Sequence, residues 1–281
     1  MSAIYSSEAG ARAVRERYLH FLDHWPVPAE RLMLPTREGE TFVMASGPKD
    51  APALLLFHGS GANATMWMRD VAEWSKHLRV FAVDMIGEPG LSAPSRPPLA
   101  SDAYALWLDD VMQGLGRRRA SIVGVSLGGW LALDYATRRP ERVERLVLLC
   151  PGGVGRQKKG WMLFLPLMFF GRWGRRKMRE RILGRTPSSP AMQQMGEFIS
   201  LTFASFRPRR DRLPTFSDAA LQRLAMPLLV ILGGRDVLLD TRATERRFAR
   251  NAKKADIRLI PDAGHLIRDQ TQPILEFLER Q

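Results

Sequence analysis

A serine with the surroundings of a nucleophile lies in residues 120–130, which read ASIVGVSLGGW. An apolar, β-branched run ends at Gly124-Val125-Ser126-Leu127-Gly128, and the helix-like segment LALDYATRRP follows without a loop. A sharp strand-to-helix reversal brings backbone segments close together, which explains the glycines on both sides of Ser126. The pattern predicts that the Ser126 hydroxyl lies above the carboxyl end of a strand, rather than only capping the next helix.

A serine hydroxyl needs a base to remove its proton, and His265 is the best placed of the five histidines. It ends the tetrapeptide Asp262-Ala263-Gly264-His265, after the last predicted strand and before the last predicted helix. Two carboxylates are candidates for the acid that orients this base. Asp236 lies closer to the end of the strand PLLVILGG, whereas Asp240 directly precedes a helix and suits its N-cap. We therefore expect Asp236 to be the acid of a Ser-Asp-His triad.

Short apolar runs that alternate with helical patterns indicate which elements position these side chains. A helix over residues 8–24 and a hairpin that turns near Glu38-Gly39 precede the alternation. The spacing predicts an α/β fold with a mostly parallel sheet and helices on both faces, whose carboxyl-end loops meet at one edge. The predicted strands cover residues 53–59, 78–85, 120–126, 143–151, 227–234 and 255–264, and the predicted helices 65–78, 102–116, 127–138, 241–252 and 266–280.

Several motifs, taken in order along the chain, resemble those of the α/β-hydrolase superfamily. The stretch His58-Gly59-Ser60-Gly61 is similar to the superfamily's His-Gly oxyanion loop, and the serine, acid and base match its triad positions. The turn that begins Asp84-Met85-Ile86-Gly87 is similar to another superfamily motif, but Glu88-Pro89 lengthens it by one residue. The resemblance implies an α/β-hydrolase fold with a serine nucleophile and an inserted helical lid, and it implies that His58 braces its own loop.

The resemblance also implies roles for residues around the triad. The N–H groups of Leu127, directly after the nucleophile, and of Ser60 are expected to form the oxyanion hole, with Gly61 as the alternative to Ser60. Met66 and Trp67, early in the next helix, either line the acyl pocket or pack that helix against the sheet. This chemistry requires no cofactor and no metal.

Residues 152–216 interrupt the alternation of predicted strands and helices. We expect them to form a helical lid, inserted into a core formed by residues 1–151 and 217–281. The formal net charge is +13, and residues 151–215 hold 14 basic and 3 acidic side chains, so most of the excess lies there. The stretch WMLFLPLMFFGRWGRRKMRERI (161–182) favours a pocket roof over a peripheral contact with an anionic membrane surface or a partner interface. No nucleic-acid-binding motif accompanies the basic residues, so nucleic acid is not an expected partner.

Cysteine content and hydropathy indicate the cellular location that we expect for the chain. Cys150 is the only cysteine, which excludes an intramolecular disulfide and favours a cytoplasmic location. It follows an apolar run, where we expect it to be a small core residue. No window of about 18 uninterrupted apolar residues exists, so no transmembrane helix is expected.

These features predict a carboxylesterase-like serine hydrolase that cleaves an ester of small or medium size through an acyl-enzyme. Two alternatives are compatible with the same residues. One is a carbon–carbon bond hydrolase that acts on a ring-cleavage diketone, whose acidic end would suit a basic lid. The other is a non-catalytic protein of hydrolase fold that binds a small molecule.

Overall fold

A computed structural model describes residues 4–158 and 190–280. Its centre is one eight-stranded sheet in the order β1-β2-β4-β3-β5-β6-β7-β8, in which β1, β2 and β4 pair antiparallel and the other neighbours pair parallel. The strands are β1 Ala29–Thr36, β2 Gly39–Ser46, β3 Ala53–Phe57, β4 Arg79–Val83, β5 Ala120–Val125, β6 Val143–Leu149, β7 Leu228–Gly233 and β8 Ala255–Ile260.

Helices cover both faces of the sheet and divide its apolar side chains into two cores. The helices are α1 Glu8–Asp23, α2 Met68–Trp74, α3 Ala103–Gly114, α4 Leu127–Arg138, α5 Pro190–Ser205, α6 Asp218–Gln222, α7 Thr241–Asn251 and α8 Thr271–Glu279. Trp107 and Phe248 belong to the core under α3, α4, α6 and α7, whereas Trp74 and Phe198 belong to the core under α1, α2, α5 and α8.

The central strands are short apolar runs because helices bury them on both sides. Every residue of β3, β4, β5 and β7 is buried, as expected for parallel strands between two helical layers. The predicted α/β fold, a mostly parallel sheet with helices on both faces, is confirmed, and so is the hairpin of β1 and β2.

Two predicted helices begin differently in the structure. The helix predicted over residues 65–78 starts as a 3-10 turn at Ala64–Trp67 and continues as α2. The helix predicted over residues 266–280 begins only at Thr271. Asp269 has a φ of 58°, and a residue in that conformation cannot continue a right-handed helix, so residues 266–270 form an irregular loop.

Helix α5 lies in the long interval between β6 and β7 and packs against α1 near the start of the chain. The ring of Phe198 stacks with Tyr18 at a centroid distance of 6.3 Å and lies 5.2 Å from Phe21. The N–H and hydroxyl of Ser6 both donate to the Ser205 carbonyl oxygen, at 2.7 and 3.0 Å. Helix α1 and the residues before it therefore pack against the segment between β6 and β7, in which the lid is predicted.

The basic stretch 161–182 of that predicted lid lies outside the described residues. None of the helices within residues 4–158 and 190–280 is long and apolar enough to cross a membrane.

Candidate active site

Ser126 forms the sharp turn between β5 and α4. Its backbone has φ 53° and ψ −107°, a conformation that non-glycine residues rarely adopt and that is characteristic of strained functional turns. A Cβ at Gly124 would lie 2.4 Å from the Gly128 oxygen, and one at Gly128 would lie 2.3 Å from the Phe57 oxygen. The two glycines flanking Ser126 are therefore required by close backbone approach, as the sequence predicts.

His265 lies between Ser126 and Asp236 and hydrogen-bonds to both. Its Nε2 is 2.9 Å from Ser126 Oγ, and its Nδ1 is 2.7 Å from Asp236 Oδ2. An ionised carboxylate only accepts, so Nδ1 carries the proton and Nε2 is left to accept the serine proton. The three side chains come from the carboxyl ends of β5, β7 and β8, where the sequence pattern places them.

Asp236 is buried, with 3% of its surface exposed, yet it is held in the charged form. Burial alone would raise its pKa, but the hydrogen bond from His265 and the N–H groups of Leu238 and Leu239 lower it more. Those N–H groups lie 2.7 and 3.0 Å from Oδ1. Asp240, the alternative acid, instead caps α7 by accepting the Ala243 N–H at 3.0 Å.

His58 fixes the first half of the oxyanion loop from inside the protein. Burial lowers the pKa of this fully buried ring to about 4, so it is neutral. Its Nε2 accepts the Met85 N–H at 3.0 Å, and its Nδ1–H donates to the Gly59 oxygen at 2.8 Å. The Gly59 oxygen also accepts the Ala62 N–H at 3.2 Å. These contacts agree with the bracing role that the sequence predicts for His58.

The structure distinguishes the candidate oxyanion donors by whether their N–H groups are free. Gly61 N–H donates to Glu88 Oε2 at 2.6 Å, so this alternative donor is already occupied. Within the described parts of the chain, the N–H groups of Ser60 and Leu127 have no hydrogen-bond acceptor. The loop lies beside the nucleophile, since a Cβ at Gly59 would lie 3.7 Å from the Ser126 Cβ.

Glu88 is a buried carboxyl group against this loop that sequence reasoning did not assign to the site. Only 2% of its surface is exposed, and its Oε2 also lies 3.3 Å from Ser60 Oγ. Burial raises its pKa to about 7, although the Gly61 N–H, Arg96, Ser60 and Arg209 act to lower it. The feature of the sequence that could have indicated Glu88 is the one-residue extension, Glu88-Pro89, in the turn after β4.

The predicted pocket residues Met66 and Trp67 take different positions. Trp67 is 3% exposed and its ring lies 6.0 Å from that of Trp74, so it packs α2 against the sheet. Met66 is half-buried beside the same core. Phe203 of α5, which the sequence did not single out, is 52% exposed, and a Cβ at Gly61 would lie 3.2 Å from its ring. It provides an apolar surface over the oxyanion loop.

Cys150 lies beside Asp236 and His265. Its sulfur, an Asp236 oxygen and a His265 nitrogen all lie within 4.8 Å of one another, which is close enough for metal ligands. Burial raises the pKa of the Cys150 thiol well above its usual value. The other two groups are hydrogen-bonded to each other. Cys150 is 2% exposed and packs among the apolar side chains of the core, as its sequence position suggests.

The fold and the arrangement of these residues are those of a known class, and the chain belongs to the alpha/beta hydrolase family, which matches residues 54–280. Among similar proteins, carboxylesterase YbfK of Bacillus subtilis (strain 168) is 29% identical over 96% of this chain and 95% of its own length. An uncharacterized carboxylesterase of the same strain, nap, is 30% identical, covering 90% of this chain and 86% of its own.

A solved structure gives the same similarity in three dimensions. The crystal structure of naproxen esterase (carboxylesterase NP) from Bacillus subtilis superposes with a TM-score of 0.81 at 28% identity. The match covers 97% of each chain. The similarity thus extends well beyond the triad loops, to nearly the whole length of this protein.

Proposed function

We propose that this protein is a serine carboxylesterase that cleaves a small or medium-sized ester through an acyl-enzyme. The observation that carries the proposal is the continuous hydrogen-bonded row from Ser126 through His265 to Asp236, with distances of 2.9 and 2.7 Å. Similarity to proteins described as carboxylesterases, over most of both chains, supports the same class of substrate.

In the acylation step, Ser126 Oγ attacks the ester carbonyl carbon while His265 Nε2 takes the serine proton. The carbonyl oxygen becomes an oxyanion, for which we assign the N–H groups of Ser60 and Leu127 as the donors. The charged Asp236 stabilises the imidazolium that forms on His265. That imidazolium then protonates the alkoxide leaving group, and the carbon–oxygen bond of the ester breaks.

In the deacylation step, water replaces the alcohol and His265 removes one of its protons. The resulting second tetrahedral intermediate uses the same two N–H groups. Its collapse breaks the bond between Ser126 Oγ and the acyl carbon, and the proton held by His265 returns to the serine. The carboxylic acid leaves and the enzyme is regenerated, with every group supplied by the protein and water.

The lid over residues 152–216 forms part of this proposal as the roof of the substrate pocket. Phe203 supports it, because this apolar side chain of α5 lies exposed against the oxyanion loop. Packing of α5 on α1 gives that roof a fixed support on the core. An ester with an apolar acyl or alcohol group would bury its surface against Phe203 and the half-buried Met66.

The test combines a fluorophosphonate probe, a panel of nitrophenyl esters of increasing chain length, and a ring-cleavage diketone. Wild type should be labelled on Ser126 and should hydrolyse the esters in preference to the diketone. Ser126→Ala should abolish labelling and lower kcat by several orders of magnitude. Ser121→Ala is the matched control, because this buried serine lies on the same strand but outside the site.

Three results would contradict the proposal. A Ser126→Ala variant that kept a tenth of wild-type ester turnover would exclude Ser126 as the nucleophile. Faster cleavage of the diketone than of any ester would favour a carbon–carbon bond hydrolase. A folded wild type that neither reacted with the probe nor cleaved any substrate would favour a binding protein.

A further inference from the structure

The buried carboxyl group of Glu88 has no part in the triad chemistry, yet it contacts the loop that carries an oxyanion donor. We propose that Glu88 is a positioning residue: it binds the Gly61 N–H and thereby keeps the Ser60 N–H directed at the substrate oxygen. The inference rests on the proposed esterase function and adds to it a requirement for a hydrogen-bond acceptor at position 88.

The loop contains two successive peptide planes, and the first is held by contacts already described. The Gly59 oxygen accepts from His58 Nδ1 and from the Ala62 N–H, so this carbonyl points into the protein. In a trans peptide the next N–H points the opposite way from the carbonyl. The Ser60 N–H is therefore turned away from His58, and it has no acceptor among the residues that the structure describes.

The second peptide plane joins Ser60 to Gly61, and Glu88 holds it. Gly61 has a φ of 74°, a conformation that glycine adopts without strain but also leaves without strain. Its N–H is buried and donates to Glu88 Oε2 at 2.6 Å, which is a short hydrogen bond to a carboxyl oxygen. Without that acceptor the buried N–H would be unsatisfied, and rotation of the plane would be its simplest relief.

An ionised Glu88 would destabilise the transition state, because a carboxylate near the oxyanion repels the developing negative charge. Burial weakens this conflict by favouring the neutral acid, with a pKa of about 7. Two arginines on the same side also offset the charge, Arg96 and Arg209. Among the described residues, the titratable groups that interact electrostatically with Glu88 itself are Tyr5, Arg96, Tyr104 and Arg209. The useful property of Glu88 is thus its oxygen atom rather than its charge.

The experiment compares Glu88→Gln with Glu88→Met, two uncharged side chains of similar length of which only glutamine offers an oxygen acceptor. We expect Glu88→Gln to stay within about threefold of wild-type kcat. Glu88→Met should lose about 10- to 100-fold in kcat with KM within threefold, a fraction of the loss caused by removing an oxyanion donor outright. A trifluoromethyl ketone, which forms an oxyanion on the nucleophilic serine, should bind the Met variant more weakly by a similar factor.

Asp134→Asn serves as the control, because it alters another buried carboxyl group that is paired with Arg138 on α4, outside the site. Its kcat should match wild type. Circular dichroism and the melting temperature establish that each variant is folded, and Glu88→Ala replaces Glu88→Met if the latter is not.

The outcomes separate this inference from the proposed function. Equal kcat in the Met and Gln variants, or an equal loss in both, overturns the role of Glu88 while ester hydrolysis by wild type still stands. A loss that appears in KM alone also overturns it, since that indicates substrate binding. A wild type inert to esters and to the fluorophosphonate overturns the esterase function and this inference together.

Discussion

Two buried carboxyl groups at the same edge of the sheet, Asp236 and Glu88, have opposite electrostatic behaviour. They are almost equally buried, at 3% and 2% exposed. The pKa of Asp236 is lowered, whereas the pKa of Glu88 is raised to about 7. Burial raises the pKa of both acids, but only at Asp236 do the hydrogen-bonding partners outweigh it.

Asp236 has more hydrogen-bond donors within 3.0 Å than Glu88. Asp236 binds the His265 ring and two backbone N–H groups within 3.0 Å. Glu88 has one N–H at 2.6 Å and a hydroxyl at 3.3 Å, while two arginines act on it only through their charge. A triad acid must remain ionised to stabilise an imidazolium, and a group behind an oxyanion hole functions better as a neutral acceptor.

The largest effect expected from this comparison is that of removing the charge of the triad acid. Asp236→Asn should lower kcat by roughly 10⁴-fold, because the amide cannot stabilise the imidazolium and permits the wrong histidine tautomer. Glu88→Gln, the same change of acid to amide at the other site, should lose no more than about threefold. Steady-state ester hydrolysis measures both, and similar losses in the two variants would erase the distinction.

The second effect is a pH-dependent difference in stability. The pKa of Glu88 is about 7 in the folded protein against 4.5 ordinarily, so between these values the folded state binds more protons than the unfolded state. The contribution of Glu88 to stability therefore falls as pH rises from about 4.5 to about 7. Glu88→Gln has no such proton to lose. Its free energy of unfolding, relative to that of wild type, should therefore increase as pH rises from about 4.5 to about 7, by at most about 3 kcal/mol.

Urea unfolding at pH 5 and pH 8 measures that difference. Ser121→Ala, which lies on β5 outside the site and leaves the hydrogen bonds of Glu88 unchanged, should keep the wild-type pH dependence. A stability difference between Glu88→Gln and wild type that did not change with pH would show that burial does not raise the pKa of Glu88.

The smallest effect is expected at Asp240, the carboxylate that the sequence offers as the alternative acid. Asp240→Asn should change the free energy of unfolding by less than about 0.5 kcal/mol, since asparagine caps a helix about as well as aspartate. Its kcat should equal that of wild type. Melting curves and ester turnover test both statements, and a kcat loss larger than that of Asp236→Asn would move the triad acid to Asp240.

The fold and the proximity of Ser126, His265 and Asp236 could be predicted from the sequence because both depend on local signals. Buried strands appear as apolar runs, and Ser126 and His265 follow such runs directly. The sequence also distinguishes Asp236 from Asp240, because the position of Asp240 directly before a helix is a local signal for an N-cap. All three side chains follow the carboxyl ends of β5, β7 and β8, which belong to the parallel part of the sheet.

Contacts between distant segments were not predictable in this way. The pairing of α1 with α5, the position of Phe203 over Gly61, and the contact of Glu88 with the oxyanion loop join residues that lie 27 or more positions apart. The extra residue at Glu88-Pro89 could be seen in the sequence, but the direction of the Glu88 side chain depends on packing between distant segments. Trp67 shows the reverse case, in which an aromatic residue near the site belongs to the core.

The hydrogen bond between Ser126 and His265 joins residues 139 positions apart, and this separation has a consequence during synthesis. At about 5–20 residues per second, a ribosome adds Ser126 roughly 7–28 s before it adds His265. Throughout that interval the serine on the growing chain has no base to accept its proton, even where the surrounding strands have begun to pair. The nascent chain is therefore without esterase activity until His265 itself has been added.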